Sequence, residues 1–153
     1  MKVIFLDIDG VLNSEVWWHD VMSKYGIDIV DLYNQEAMML LKQLVNLTGA
    51  RIVLSSSWRI SEYSRERVMD NFVLYDLTLY SITGQEEGTR GHQIMEWLQR
   101  HPEVTEYVAF DDDHDLTELG PHFVHVDGYY GLKREHFDKA LAILLGGKYE
   151  ENE

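Results

Sequence analysis

The sequence predicts an α/β domain: a parallel sheet with helices on both faces. Three observations predict it. Short apolar runs of strand type alternate with longer amphipathic segments of helix type. Three of the strand runs end abruptly in polar, potentially reactive residues: Asp7 and Asp9, Ser55 and Ser56, Asp111 and Asp112. The 153 residues carry no repeat, low-complexity linker or composition break, so one domain covers residues 1–148, followed by an acidic frayed tail at 149–153.

Taken in order, Lys2–Leu6 is the first strand. Asn34 caps a helix that runs to about residue 47, with Leu40, Leu41, Leu44 and Val45 as its apolar stripe and Gly49 placed to end it. Arg51–Leu54 is the second strand. Residues 61–71 read as a charged, surface-lying helix, whereas 72–81 mixes aromatic and β-branched residues and fits neither pattern alone. Thr89 or Gly91 opens a helix with Ile94, Trp97 and Leu98 on one face, and it must end near His101, before Pro102. Residues 107–110 form a further buried strand and 122–126 a short one. Residues 134–145 form the last helix, with Phe137, Leu141, Leu144 and Leu145 inward and Gly146-Gly147 as its stop.

Composition narrows the function. With 13 Lys and Arg against 27 Asp and Glu, the formal net charge is −14, which argues against strong non-specific binding to nucleic-acid backbone. Part of the excess sits in the Glu150-Glu151-Asn152-Glu153 tail. There is no cysteine, so disulfides, thiolate nucleophiles and zinc–thiolate sites are excluded. The N-terminus reaches Asp7 too soon for a signal-peptide apolar region, and no stretch is long enough to span a membrane. A cytoplasmic protein without a membrane partner is the expectation.

All strand C-termini of an open parallel sheet lie on one edge, where ligands bind. The three polar strand ends therefore converge. A buried strand gains no stability from ending in paired carboxylates, which repel each other and are costly to desolvate unless a cation compensates. Asp7 is placed to attack a phosphorus atom, and Asp9 to protonate the leaving oxygen and later activate water; the alternative for Asp9 is a turn in which it satisfies backbone donors. Ser55 and Ser56 either cradle phosphate oxygens or cap the next helix. Arg90 is the candidate phosphate-binding cation, with Arg59 and Lys133 as rivals. Asp111 and Asp112, with Asp7, offer hard oxygen ligands to Mg²⁺; Asp113 and Asp115 are alternatives in the same loop. His122 and His125 resemble a metal pair, but odd spacing on a strand points them to opposite faces, and His114 reads as surface. Trp17, Trp18 and His19 fall between the first strand and the first helix, as a lid, a stacking platform or packing over the sheet edge.

Asp7-Ile8-Asp9-Gly10-Val11-Leu12, a serine at the second strand end, a later basic residue and Asp111-Asp112 after a further strand resemble the haloacid dehalogenase (HAD) superfamily of phosphohydrolases. Together with Leu54-Ser55-Ser56-Ser57-Trp58-Arg59 and Gly131-Leu132, they look like the small HAD domains of Swiss-Army-knife RNA repair proteins. The resemblance implies a Rossmann-like fold, Asp7 as nucleophile and Asp9 as acid/base. It further implies a phosphoryl group bound by Ser55 and Arg90, and Mg²⁺ held by Asp7, Asp111, Asp112 and the backbone carbonyl of Asp9. The basic residue is Arg where the superfamily usually has Lys. The intervals 13–33 and 59–89, where caps are inserted, hold only a flap and one helix or hairpin, so the cap is minimal or absent and the site open. The implied activity is hydrolysis of phosphomonoesters through an aspartyl-phosphate, on a small molecule, a nucleotide or a nucleic-acid end. The alternatives are a phospho-acceptor module or a binding domain with little turnover; Asp9, as a built-in hydrolytic base, and a second strand that ends in serines both weigh against the acceptor.

Overall fold

A computed structural model describes residues 1–25 and 32–147; the acidic tail and part of the 13–33 interval lie outside them. Five parallel strands form one sheet: β1 (Lys2–Leu6), β2 (Arg51–Leu54), β3 (Leu79–Ile82), β4 (Glu106–Asp111) and β5 (Phe123–His125), in the order β3-β2-β1-β4-β5. The helices are α1 (Glu15–Tyr25), α2 (Gln35–Thr48), α3 (Glu62–Val73), α4 (Arg90–Gln99) and α5 (Arg134–Leu144).

Side chains alternate across a strand, and β1 feeds two cores accordingly. Ile4 and Leu6 join Leu41 and Leu44 of α2, Val68 and Phe72 of α3, and Phe137 and Leu144 of α5. Val3 and Phe5 face the other way, against Ile94 and Trp97 of α4. The chain thus steps outward from β1 to β2 and β3 along one face. It returns over the opposite face through α4 to β4 and β5. Right-handed crossovers require this change of face when the direction of travel reverses. The reversal makes the C-terminal ends of β1 and β4 the topological switch point, where an open α/β sheet forms its crevice.

Local signals match most elements. Asn34 caps α2 through the Glu36 N–H, and the Gly49 N–H closes the helix on the Val45 carbonyl at 2.8 Å. Thr89 caps α4, accepting from the His92 N–H. Four details differ from the sequence expectation. Residues 79–82 of the ambiguous stretch form an edge strand, where half-buried Leu79 and Ser81 alternate with exposed Tyr80 and Ile82, so neither face is apolar throughout. Asp111 is the last residue of β4 rather than the first of a loop. His122 belongs to a 3₁₀ turn (Thr117–His122) ahead of β5, and Leu145 lies just beyond α5. The flap after β1 contains a full helix, α1, capped by Ser14, whose Oγ accepts from the Trp17 N–H at 3.2 Å. No helix among the described residues is long and apolar enough to cross a membrane.

Arg59 fastens the loops that leave β2 and β3. Its buried guanidinium donates to the carbonyls of Ser55, Ser56, Thr83 and Gly84, at 2.8 to 3.2 Å, and to Oε1 of Gln93 on α4 at 2.9 Å. A planar five-donor fork can satisfy several carbonyls at once, and Lys cannot. Arg59→Met leaves buried carbonyls without donors and is expected to lower stability by roughly 3 kcal/mol in urea unfolding. Arg59→Lys should recover only part of that loss.

Candidate phosphoryl-transfer site

The parallel ladder runs one residue past the strand ends. The Asp7 N–H donates to the Phe110 carbonyl, the Ser55 N–H to Leu6 and the Thr83 N–H to Leu54, each at 3.0 to 3.1 Å. This fixes Asp7 and Ser55 side by side at the switch point, both buried. Asp111 is fully buried; its Oδ1 accepts from the Asp113 N–H at 2.9 Å and its Oδ2 from Arg90 Nη1 at 2.7 Å. The same Arg90 nitrogen lies 3.4 Å from Asp7 Oδ1. Arg90 is thus the cation at this centre. Arg59 is committed to carbonyls, and Lys133 Nζ lies 3.8 Å from Glu36.

Asp7, Asp111 and Asp112 present carboxylate oxygens that all lie within 4.8 Å of one another. Asp113 and Asp115 are not part of this group; Asp113 Oδ1 instead accepts from the Asp115 N–H. Glycine makes the room for Asp112. Gly10 has φ +82°, and a Cβ there would stand 2.4 Å from Asp112 Oδ2; at Gly128 a Cβ would stand 2.8 Å from the same atom. A side chain at either position would displace the third carboxylate.

Burial, and after it the Asp111 charge, push the Asp7 carboxyl up to about 8 against the pull of Arg90. Burial likewise raises Asp112. Arg90 is lowered by burial, but Asp7 and Asp111 outweigh that and raise it overall. One guanidinium is too little positive charge for three carboxylates. Hard oxygen donors this close, with Asp7 and Asp112 raised by burial and like charge, fit a divalent ion such as Mg²⁺.

Asp9 stands apart from the cluster. It is exposed, and its two oxygens take separate neutral donors: Asn13 Nδ2 to Oδ1 at 2.9 Å and Trp58 Nε1 to Oδ2 at 3.0 Å. Its side chain is therefore not among the clustered carboxylates that could hold a metal ion. Ser56 caps the 3₁₀ turn after β2, its Oγ accepting from the Trp58 N–H at 3.2 Å. That bond aims Trp58 at Asp9.

Beside these groups opens a cleft of about 760 Å³, lined by Trp18, Trp58 and Tyr129 together with Asp9, Asp112 and Asp127. Trp17 is half-buried and does not line it. Among the described residues no histidine joins a group that could hold a metal. His122 Nδ1 lies 2.9 Å from the Tyr107 carbonyl oxygen, whereas His125 Nε2 lies 3.0 Å from that of Asp112 and stacks on exposed His114. Sequence reasoning missed Trp58, Asn13 and Tyr129. Ser14 followed by Glu15 was a readable start signal for α1; nothing in the sequence pairs Trp58 with a carboxylate 49 residues away.

The model of the HAD domain in Swiss Army Knife RNA repair proteins matches residues 3–137. The chain belongs to that family. Comparison with curated proteins and with solved structures gave no match. In this HAD domain the match spans both parts of the carboxylate cluster and the loop that carries Trp58.

The pH behaviour follows from Asp7. A carboxyl whose folded pKa is raised from 3.8 to about 8 stabilises the fold below the lower value and loses that contribution as pH climbs to the upper one. Millimolar Mg²⁺ is therefore expected to raise the melting temperature more at pH 8 than at pH 5. Asp7→Asn in chelator-treated protein should raise it at pH 8 by roughly 2–8 °C. Equal Mg²⁺ increments at the two pH values would count against a cation held by this cluster.

Proposed function

We propose that this HAD domain hydrolyses phosphomonoesters through an aspartyl-phosphate on Asp7. The observation that carries the reading is the division of labour between two aspartates two positions apart. Asp7 is buried against Arg90 and two further carboxylates, whereas Asp9 is exposed and held by neutral donors. Asp7, Asp111, Asp112 and the Asp9 carbonyl would hold Mg²⁺, which supplies positive charge to the phosphoryl oxygens.

Asp7 attacks phosphorus in line, and the bond to the leaving oxygen breaks. Asp9, in its acid form, gives that oxygen a proton. As a carboxylate it then takes a proton from a water that attacks the phosphorus of the aspartyl-phosphate. Phosphate leaves and Asp7 is regenerated. Arg90 offsets charge on the transferring group, and the Ser55 hydroxyl donates to one of its oxygens. The family is that of RNA repair proteins, which favours a nucleotide or nucleic-acid end as substrate; the net charge of −14 weighs against a tight hold on a long polynucleotide.

Hydrolysis of 4-nitrophenyl phosphate with Mg²⁺ tests the reading. Asp7→Asn is expected to lose about 10⁴-fold in kcat. Asp9→Asn should lose about 100-fold or more, with the larger loss on alkyl phosphates, whose leaving oxygens need the proton more. An Asp7→Asn protein with full activity would refute the nucleophile. Trp58→Phe keeps the cleft wall but removes the donor to Asp9; kcat is expected to fall about tenfold, about 1.4 kcal/mol, with little change in KM.

A further inference from the structure

Two properties of the cleft are not used by the phosphoryl chemistry. The first is its aromatic walls. Trp18 on α1 is 39% exposed and Tyr129 in the loop after β5 is 50% exposed, and both line the cleft with Trp58. Exposed aromatic rings beside a reaction centre offer a flat, apolar surface on which a planar ring gains stacking energy.

The second is the sign of the remaining lining. Glu15 and Asp127 join Asp9 and Asp112 along the cleft, and among the described residues no Lys or Arg lines it. Arg90 is engaged with Asp7 and Asp111 at the phosphoryl end. A substrate's first phosphate therefore meets a cation, and a second phosphate would meet two carboxylates that take no part in the reaction. Such repulsion, acting within a Debye length, is a device for rejecting the wrong substrate. It opposes a polynucleotide end, whose next phosphodiester would lie along the same cleft.

Resting on the phosphatase reading, we propose that the cleft takes a flat, uncharged aromatic leaving group of nucleoside size, stacked on Trp18 and Tyr129, and rejects leaving groups that carry a second phosphate. The site is thereby one for mononucleotide-like monophosphates rather than for nucleic-acid ends.

Isothermal calorimetry with Mg²⁺ on the Asp7→Asn protein, in which turnover is expected to be lost, tests this with three probes. Adenosine 5′-monophosphate is expected to bind about tenfold tighter than ribose 5-phosphate, which has the same phosphate and no base. Adenosine 3′,5′-bisphosphate should bind about tenfold weaker than the monophosphate. Adding Trp18→Ala should erase the first difference, and adding Glu15→Gln with Asp127→Asn the second; all three positions are exposed, so the fold should tolerate the changes. A bisphosphate bound as tightly as the monophosphate overturns the proposal, as does equal binding of ribose 5-phosphate. Wild-type activity on 4-nitrophenyl phosphate with no such order of affinities sinks this proposal alone. An inactive wild type with the order intact sinks the phosphatase reading and leaves the selectivity of the cleft standing.

Discussion

The crowding of negative charge at one strand end governs the rest of this structure. Three carboxylates within 4.8 Å of one another, two of them buried, repel one another beside a single guanidinium. Stability alone gives no reason to gather them. Every neighbouring feature either holds the cluster in place or relieves it. Arg90 bridges two of the three, the ladder hydrogen bonds that run past β1 fix the first, and Gly10 and Gly128 clear space for the third. Like charge is crowded at this site, and the raised Asp7 carboxyl expresses that crowding together with its burial.

The architecture delivers these groups economically. Reversal of the crossover direction at β1 brings two strand ends, from opposite halves of the chain, into one crevice. The β2 end adds Ser55, and Arg59 locks that loop to the neighbouring β3 loop through carbonyls. Arg90 arrives on the first residue of α4, the helix that crosses back over the sheet. A side chain on the first turn of a helix capped by Thr89 has a defined origin and direction, which suits a residue that must reach two carboxylates at once.

Most of this was legible because local chemistry and global fold agree here. Asn34, Gly49 and Thr89 sit where capping rules put them, and β1, β2 and β4 are short apolar runs that cannot be mistaken for amphipathic helices. The carboxylates were legible for the opposite reason: they interrupt buried strands where stability alone would place none. What escaped was of two kinds. Edge strand β3 is only partly buried, and a serine sits on its inner face while Tyr80 and Ile82 are exposed, so no apolar face stands out in the sequence. The contacts that define Asp9 and the cleft join residues far apart in sequence: Trp58 reaches Asp9, and Gly128 borders Asp112. No periodicity encodes such pairings; they follow from the sheet order. Which of Arg59, Arg90 and Lys133 lies beside the carboxylates was likewise a question of where each guanidinium or ammonium ends, and only the tertiary structure shows it.

The first turn of α1 is fastened in an unusual way. The Glu15 and Val16 N–H groups donate to the Gly128 and Tyr129 carbonyls, so helix and loop are joined main chain to main chain. Such a joint is indifferent to side-chain identity. The residues that α1 turns toward the cleft can be exchanged without loosening it, while the carboxylates on the sheet edge stay as they are. In evolutionary terms, the aromatic wall of the cleft and the carboxylate cluster are carried on separately replaceable parts.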